Sequence, residues 1–271
     1  LTATCEPARI ARSPRPTDVS LLPVPEGLVV LTFDDGVRSC STFVAPLLRH
    51  YGFGATFFIT EGLNFADKEH YLTWEQVRGL HDAGFEIGNH TRNHYDVRRQ
   101  SRDELRADIA HIAIRCQEYG IPRPTTFCYP GYSNCPDAVS VLAKDGFLFA
   151  RRGFAPEFPL VHTGGRGPVY DPSLHHPLLV PTTNAFGPTW GFEDLVWAVD
   201  QARGGKAAVL VFHGVPDLEH PWVYADPVVF ERCMAYLHNR GCTVIAMRDL
   251  VRYVDQAVVP PDPNLSSATS G

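Results

Sequence analysis

No stretch of about 18 uninterrupted apolar residues occurs in the sequence, which excludes a membrane-spanning helix. Positive charge is not in excess either. The 24 basic and 30 acidic residues leave a formal charge of −6, so nucleic acid and anionic membranes find no general attraction. The seven cysteines (Cys5, Cys40, Cys116, Cys128, Cys135, Cys233 and Cys242) include no C-x-x-C pair, so neither a zinc ribbon nor a thioredoxin-type site is suggested. Cys128 and Cys135 can pair only if the loop between them turns back; burial as free thiols is the commoner fate. No internal repeat is visible.

What is present is the composition of a globular domain, 44% hydrophobic and 20% charged. At 271 residues the chain is long enough for one α/β barrel, which uses roughly 250. Residues 1–27 carry Pro7, Pro14, Pro16, Pro23 and Pro25 and read as an extended arm, while 258–271 read as a loose tail. The domain itself is expected over 28–257.

Within it, short apolar runs alternate with amphipathic ones. Strands are expected at 28–33, 54–59, 85–88, 125–128, 147–150, 207–212 and 243–246. Helices are expected at 41–51, 73–83, 101–119, 135–144, 191–203, 227–240 and 247–255. Thr73 before Gln76 and Ser101 before Glu104 have the spacing of capping boxes. This rhythm predicts an α/β fold, a parallel sheet covered by helices. The region 153–190 interrupts it with Gly and Pro, and long irregular loops in compact domains are often functional.

Three motifs carry chemistry, each directly after a predicted strand. Thr32-Phe33-Asp34-Asp35-Gly36 sets two carboxylates side by side, an arrangement that raises one pKa unless a cation neutralises the pair. Asp-Asp-Gly is also a common turn sequence. His90-Thr91-Arg92-Asn93-His94 spaces two imidazoles at i and i+4, one face of a helical turn, so both can reach one cation. With one carboxylate they make a two-His, one-carboxylate site with open positions. Leu210-Val211-Phe212-His213 places a further imidazole at the end of a buried strand, where it can serve as a general acid. All three fall where βα barrels build their sites, at strand C-termini.

Together the motifs resemble the polysaccharide deacetylase family (carbohydrate esterase family four, the chitooligosaccharide-deacetylase homology domain). T-F-D-D-G stands unchanged at 32–36, H-[ST]-x-x-H at 90–94, and L-x-x-H at 210–213, and the resemblance covers about 28–255. It implies a distorted (β/α)7 barrel, TIM-barrel-like, with outer helices. It implies one divalent ion, Zn²⁺ before Co²⁺, Ni²⁺ or Mn²⁺, held by Asp35, His90 and His94. Asp34 would be the general base, His213 the acid, and the Gly131 backbone N–H with Tyr132 would line the oxyanion and substrate side. Leu210 with Trp190 or Trp222 would wall the acetyl methyl, and Asp171 and His175 in the irregular region would touch substrate.

The implied reaction is removal of N-acetyl groups from an amino-sugar polymer. The alternatives are an O-acetyl esterase of the xylan type, and hydrolysis of another non-peptide C–N bond. The expected partner is an acetylated carbohydrate, and secretion or a periplasmic location is the family's habit, with the cytoplasm left open. Two departures stand out. Cys128, in Phe127-Cys128-Tyr129-Pro130-Gly131, replaces the family's Arg, and Ala150-Arg151-Arg152-Gly153 replaces its Asp–Trp motif. Arg151 is expected to substitute for the missing cation, with Arg152 on the opposite face of the strand.

Overall fold

The computed structural model describes residues 21–63, 68–158, 165–256 and 258–260. Most of the expected N-terminal arm, including Cys5, and most of the tail lie outside these residues. Eight strands form one parallel sheet: β1 (Leu28–Phe33), β2 (Thr56–Ile59), β3 (Glu86–Asn89), β4 (Thr126–Cys128), β5 (Phe149–Arg151), β6 (Asn184–Ala185), β7 (Ala207–Phe212) and β8 (Thr243–Ile245). Their order is β5-β4-β3-β2-β1-β7-β6, with β8 on the first half of β1. The helices between them are α1 (Ala45–Tyr51), α2 (Trp74–Asp82), α3 (Arg102–Glu118), α4 (Pro136–Lys144), α5 (Phe192–Gln201) and α6 (Pro227–Asn239).

The gap between β5 and β6 is closed by the irregular region itself. Val180 accepts from Arg152 N–H and donates to the Ala150 carbonyl, both at 2.9 Å, and three residues on Thr183 N–H donates to Val209 at 2.9 Å. One segment thus bridges the two edges and rounds the sheet into a distorted (β/α)7-type barrel. The two-residue strand β6 inside this Gly- and Pro-rich stretch gave no periodicity to read.

Strand alternation sorts every side chain to one of two sides. Leu28, Val30, Phe58, Cys128, Phe149, Ala207 and Val209 pack together inside the barrel. Val29, Leu31, Phe33, Phe57, Ile87, Ala208, Leu210 and Phe212 pack outward against Leu48, Val77, Ile112, Leu195 and Phe230 of the helices. Phe127 and Ala150 do the same toward Ile109 and Leu142. Each buried aliphatic or aromatic side chain in these layers contributes about 1.5–3 kcal/mol.

Gly88, on the inward side of β3, is required by packing. A Cβ there would lie 2.4 Å from the ring of Phe58. At the N-terminal end of the barrel, the buried Glu86 accepts from the hydroxyls of Thr56 (2.6 Å) and Thr126 (2.7 Å) and from Arg248 N–H (2.8 Å). These three bonds tie β2, β3, β4 and the turn after β8 at one point.

Both expected capping boxes form, at Thr73/Gln76 and Ser101/Glu104. Two helical expectations need correction. Residues Met247–Arg252 form a 3₁₀ helix rather than an α-helix, and the first turn before α1, Cys40–Val44, is π-helical. Among the described residues every cysteine is a free thiol, including Cys128 and Cys135. No helix among the described residues is long and apolar enough to cross a membrane.

Candidate active site

The inward positions at the C-terminal ends of the strands bring Asp34, His90, Cys128, Arg151 and His213 to one mouth of the barrel. The chain turns sharply after β1, where Asp35 and Gly36 both adopt left-handed backbone (φ 72 and 67). This places the Asp34 and Asp35 side chains at the mouth, with Asp34 N–H donating to the Phe212 carbonyl at 2.9 Å. Both aspartates are buried.

His90 and His94 do meet, but not as one face of a helix. Thr91 and His94 have positive φ (62 and 54), and the segment is held by side chains instead. Asn89 Oδ1 accepts from Thr91 N–H at 3.0 Å, and Thr91 Oγ1 accepts from His94 N–H at 3.0 Å. The two rings end 4.7 Å apart, edge to face.

The donor set suits a divalent ion. His90 Nδ1 lies 2.8 Å from the Cys128 carbonyl, which can only accept, so Nδ1 carries a proton and Nε2 is the nitrogen left to serve a cation. That Nε2 faces Asp35 Oδ1 at 3.3 Å, and His94 Nε2 faces the same oxygen at 3.5 Å. Lone pairs directed at a carboxylate oxygen repel one another unless a cation or a proton lies among them. One ligand atom from each of Asp35, His90 and His94 falls within 4.8 Å of the others. Asp35 Oδ1 is buried and has no hydrogen-bond partner.

The electrostatics follow from burial and charge. Burial pushes the Asp34 carboxyl up, but Arg151, then His90 and His213, overcome it and hold it below the usual range. Asp35 is likewise held low against burial, by the His90 contact and the charges of His213 and His90. Burial and the neighbouring His90 push His94 down to about 4, keeping its imidazole neutral and available as a ligand. Burial also raises the Cys128 thiol, which stays protonated.

Arg151 is fully buried and faces inward. Its Nη2 contacts Asp34 Oδ2 and lies 2.7 Å from Cys128 Sγ, while Nη1 donates to Thr182 Oγ1 at 3.1 Å. Arg152 faces outward, as alternation requires, yet is equally buried. It donates to the carbonyls of Leu179 and Gly153 and pairs with Glu157 at 2.6 Å, clamping the closing segment.

A cavity of about 290 Å³ opens over the cluster, lined in part by Asp34, Asp35, His94, Gly131, Tyr132 and His213. Trp222 stands on its wall, two thirds exposed. Three expected contacts lie elsewhere. Leu210 is on the outward side of β7 and packs under the helices, so it cannot wall a site inside the barrel. Asp171 follows Tyr170, which pairs with Ala207 at the start of β7, and so lies at the opposite end with Lys206 and His175. Trp190 packs near Gly165 and Gly187 and does not line the cavity. His220, from the loop after β7, was not anticipated and does line it.

A model of the family described as polysaccharide deacetylase matches residues 22–150. Over those residues, a little under half of the chain, it is similar to the polysaccharide deacetylase family. Over 127 residues it is 36% identical to the peptidoglycan-N-acetylglucosamine deacetylase of Bacillus cereus, covering 46% of this chain and 55% of that protein. Over 98 residues it is 33% identical to the poly-beta-1,6-N-acetyl-D-glucosamine N-deacetylase of Escherichia coli strain K12, covering 31% of this chain and 15% of that one. The chain therefore spans about half, or less, of the curated relatives it matches. In fold it is similar to a family 4 acetyl xylan esterase from Clostridium thermocellum solved with a cobalt ion, with a TM-score of 0.58 at 22% identity over 85% of this chain and 95% of that one. This likeness is one of fold, and it covers more of the chain than the match over residues 22–150.

Proposed function

We propose that this protein is a polysaccharide deacetylase, a metal-dependent hydrolase that removes acetyl groups from N-acetylglucosamine units of a glycan. The observation that carries the reading is the meeting of Asp35, His90 and His94, with Asp34 beside them, beneath a single cavity. The two curated relatives named above are N-acetylglucosamine deacetylases by name, which favours the amide over the ester.

Asp35, His90 and His94 would hold the ion, and Zn²⁺ suits this mixture of nitrogen and oxygen donors. When bound, such an ion acidifies water and polarises a carbonyl as a Lewis acid. Asp34 is the general base, taking the proton of the attacking water at Oδ1, the buried oxygen without a hydrogen-bond partner. Its other oxygen, Oδ2, is engaged by Arg151, which fixes the carboxylate and keeps it ionised. Gly131 lines the cavity, and its N–H would supply a donor for the developing oxyanion. His213, whose Nε2 lies 4.0 Å from Asp34 and 3.8 Å from Asp35, delivers a proton to the departing amine.

Two variants separate base from ligand. Asp34→Asn is expected to keep the ion and lose turnover by a hundredfold or more, and His94→Ala to lose the ion itself. Substantial turnover in Asp34→Asn would remove the base assignment. Acetate release from N-acetylglucosamine oligomers compared with acetylated xylan decides between amide and ester.

A further inference from the structure

Asp35 presents its two oxygens to different neighbours. Oδ1 faces the Nε2 atoms of His90 and His94 at 3.3 and 3.5 Å. Oδ2 is the oxygen nearer His213 Nε2, at 3.8 Å, and His220 Nδ1, at 3.9 Å. His220 is in turn backed by Asp217, whose Oδ2 lies 3.4 Å from the same Nδ1.

Asp217 is 1% exposed, in a loop otherwise built to stay in place. Its Oδ1 accepts from the N–H groups of Glu219 and His220 at 3.1 and 2.9 Å. Ser39, four residues past Asp35, ties that loop to the β1 loop: its Oγ accepts from Val215 N–H at 2.8 Å and donates to the Pro216 carbonyl at 2.9 Å. The loops bearing Asp35 and His220 are therefore fixed to each other, not merely adjacent. An imidazole edge between two buried carboxylates is favoured electrostatically, here at ion-pair rather than hydrogen-bond distance from each.

We propose that His220, held by Asp217, is a positioning residue for Asp35, occupying the Oδ2 side so that this carboxylate binds an ion through Oδ1 alone. The assignment rests on the metal-site reading above. An ion held there would keep a position open for substrate, which a second carboxylate oxygen would otherwise occupy. Outer groups that orient a ligand typically change metal affinity by tenfold to a hundredfold when removed.

The test uses metal-free protein titrated with Co²⁺ alone, followed by its visible absorption, and with Zn²⁺ in competition with a chromophoric chelator. Wild type is expected to take up one equivalent. His220→Ala and Asp217→Asn are expected to bind about tenfold to a hundredfold more weakly. Their saturated Co²⁺ spectra should be less intense, as Asp35 adds its second oxygen and coordination rises. His220→Gln, which keeps an N–H donor, is expected to recover most of the affinity. If His220→Ala fails to fold, Asp217→Asn and His220→Gln still carry the comparison. Wild-type affinity and an unchanged spectrum in these variants would overturn the assignment. So would a lower melting temperature of the metal-free variants with an unaltered spectrum, which is what a merely structural role gives. Wild type that binds no Co²⁺ or Zn²⁺ overturns the metal centre itself, and with it this role.

Discussion

Arg151 of β5 lies against Asp34 at the end of β1, both buried, with the Cys128 thiol in contact with both. Arg151, on the strand beside that of Cys128, thus supplies a buried cation next to Asp34. The pair is worth more in orientation than in net stability, because desolvating two charges consumes much of their attraction.

Arg151→Met leaves Asp34 buried without its strongest counter-charge. Removing one partner of a buried pair typically costs about 3–5 kcal/mol. The Asp34 pKa is depressed in the folded protein, so the pair's contribution is present above the ordinary carboxylate pKa of about 4 and is lost as pH falls through the folded value. The stability gap between wild type and variant should therefore narrow in acid. The acid limb of the activity profile should move to higher pH in the variant, where burial of Asp34 is opposed only by His90 and His213. Urea midpoints and rates across pH 3–8 check both; an unmoved acid limb would separate Arg151 from the base.

Glu86 shows the opposite sign. Burial raises its pKa above the ordinary value even though Thr56, Arg248 and Thr126 all donate to it. A raised folded pKa means stability that is present below the unfolded pKa and lost as pH rises through the folded one. Wild type should thus lose ground relative to Glu86→Gln, which has no such titration, as pH rises from about 4 to 7. The difference in urea midpoint reads this directly. A difference constant with pH contradicts it.

Gly88→Ala inserts a methyl group 2.4 Å from the Phe58 ring inside the barrel. Overpacking of this kind costs about 1–3 kcal/mol. The variant should unfold at lower urea but still take up one metal ion if it folds, because the Asp35, His90 and His94 donors lie beyond this layer. Unchanged stability would mean that the barrel interior is looser than its geometry indicates.

Much of the site was legible because strand ends in a βα barrel are both readable and functional. Asp34, His90, Arg151 and His213 follow apolar runs whose alternation fixes which side chain faces inward. The same rule separates Arg151 from Arg152 and, applied to β7, would have placed Leu210 under the helices. Reading His90 and His94 as a helical turn reached the right neighbours by the wrong geometry. Positive φ at Thr91 and His94 is set by Asn89 and Thr91 side-chain bonds that spacing does not reveal. The closing segment around β6, and the Asp217–His220 pair, are held by tertiary hydrogen bonds in stretches without periodicity. Asp171 was placed by its membership of a long loop, and that loop runs to both ends of the barrel.

Acetate release from an N-acetylglucosamine oligomer, measured before chelation, after chelation and after Zn²⁺ or Co²⁺ is restored, bears on the whole reading at once. Activity should vanish with the ion and return with about one equivalent per chain, and in Asp35→Ala it should not return. Acetate release that survives complete removal of divalent ions would contradict the proposed centre.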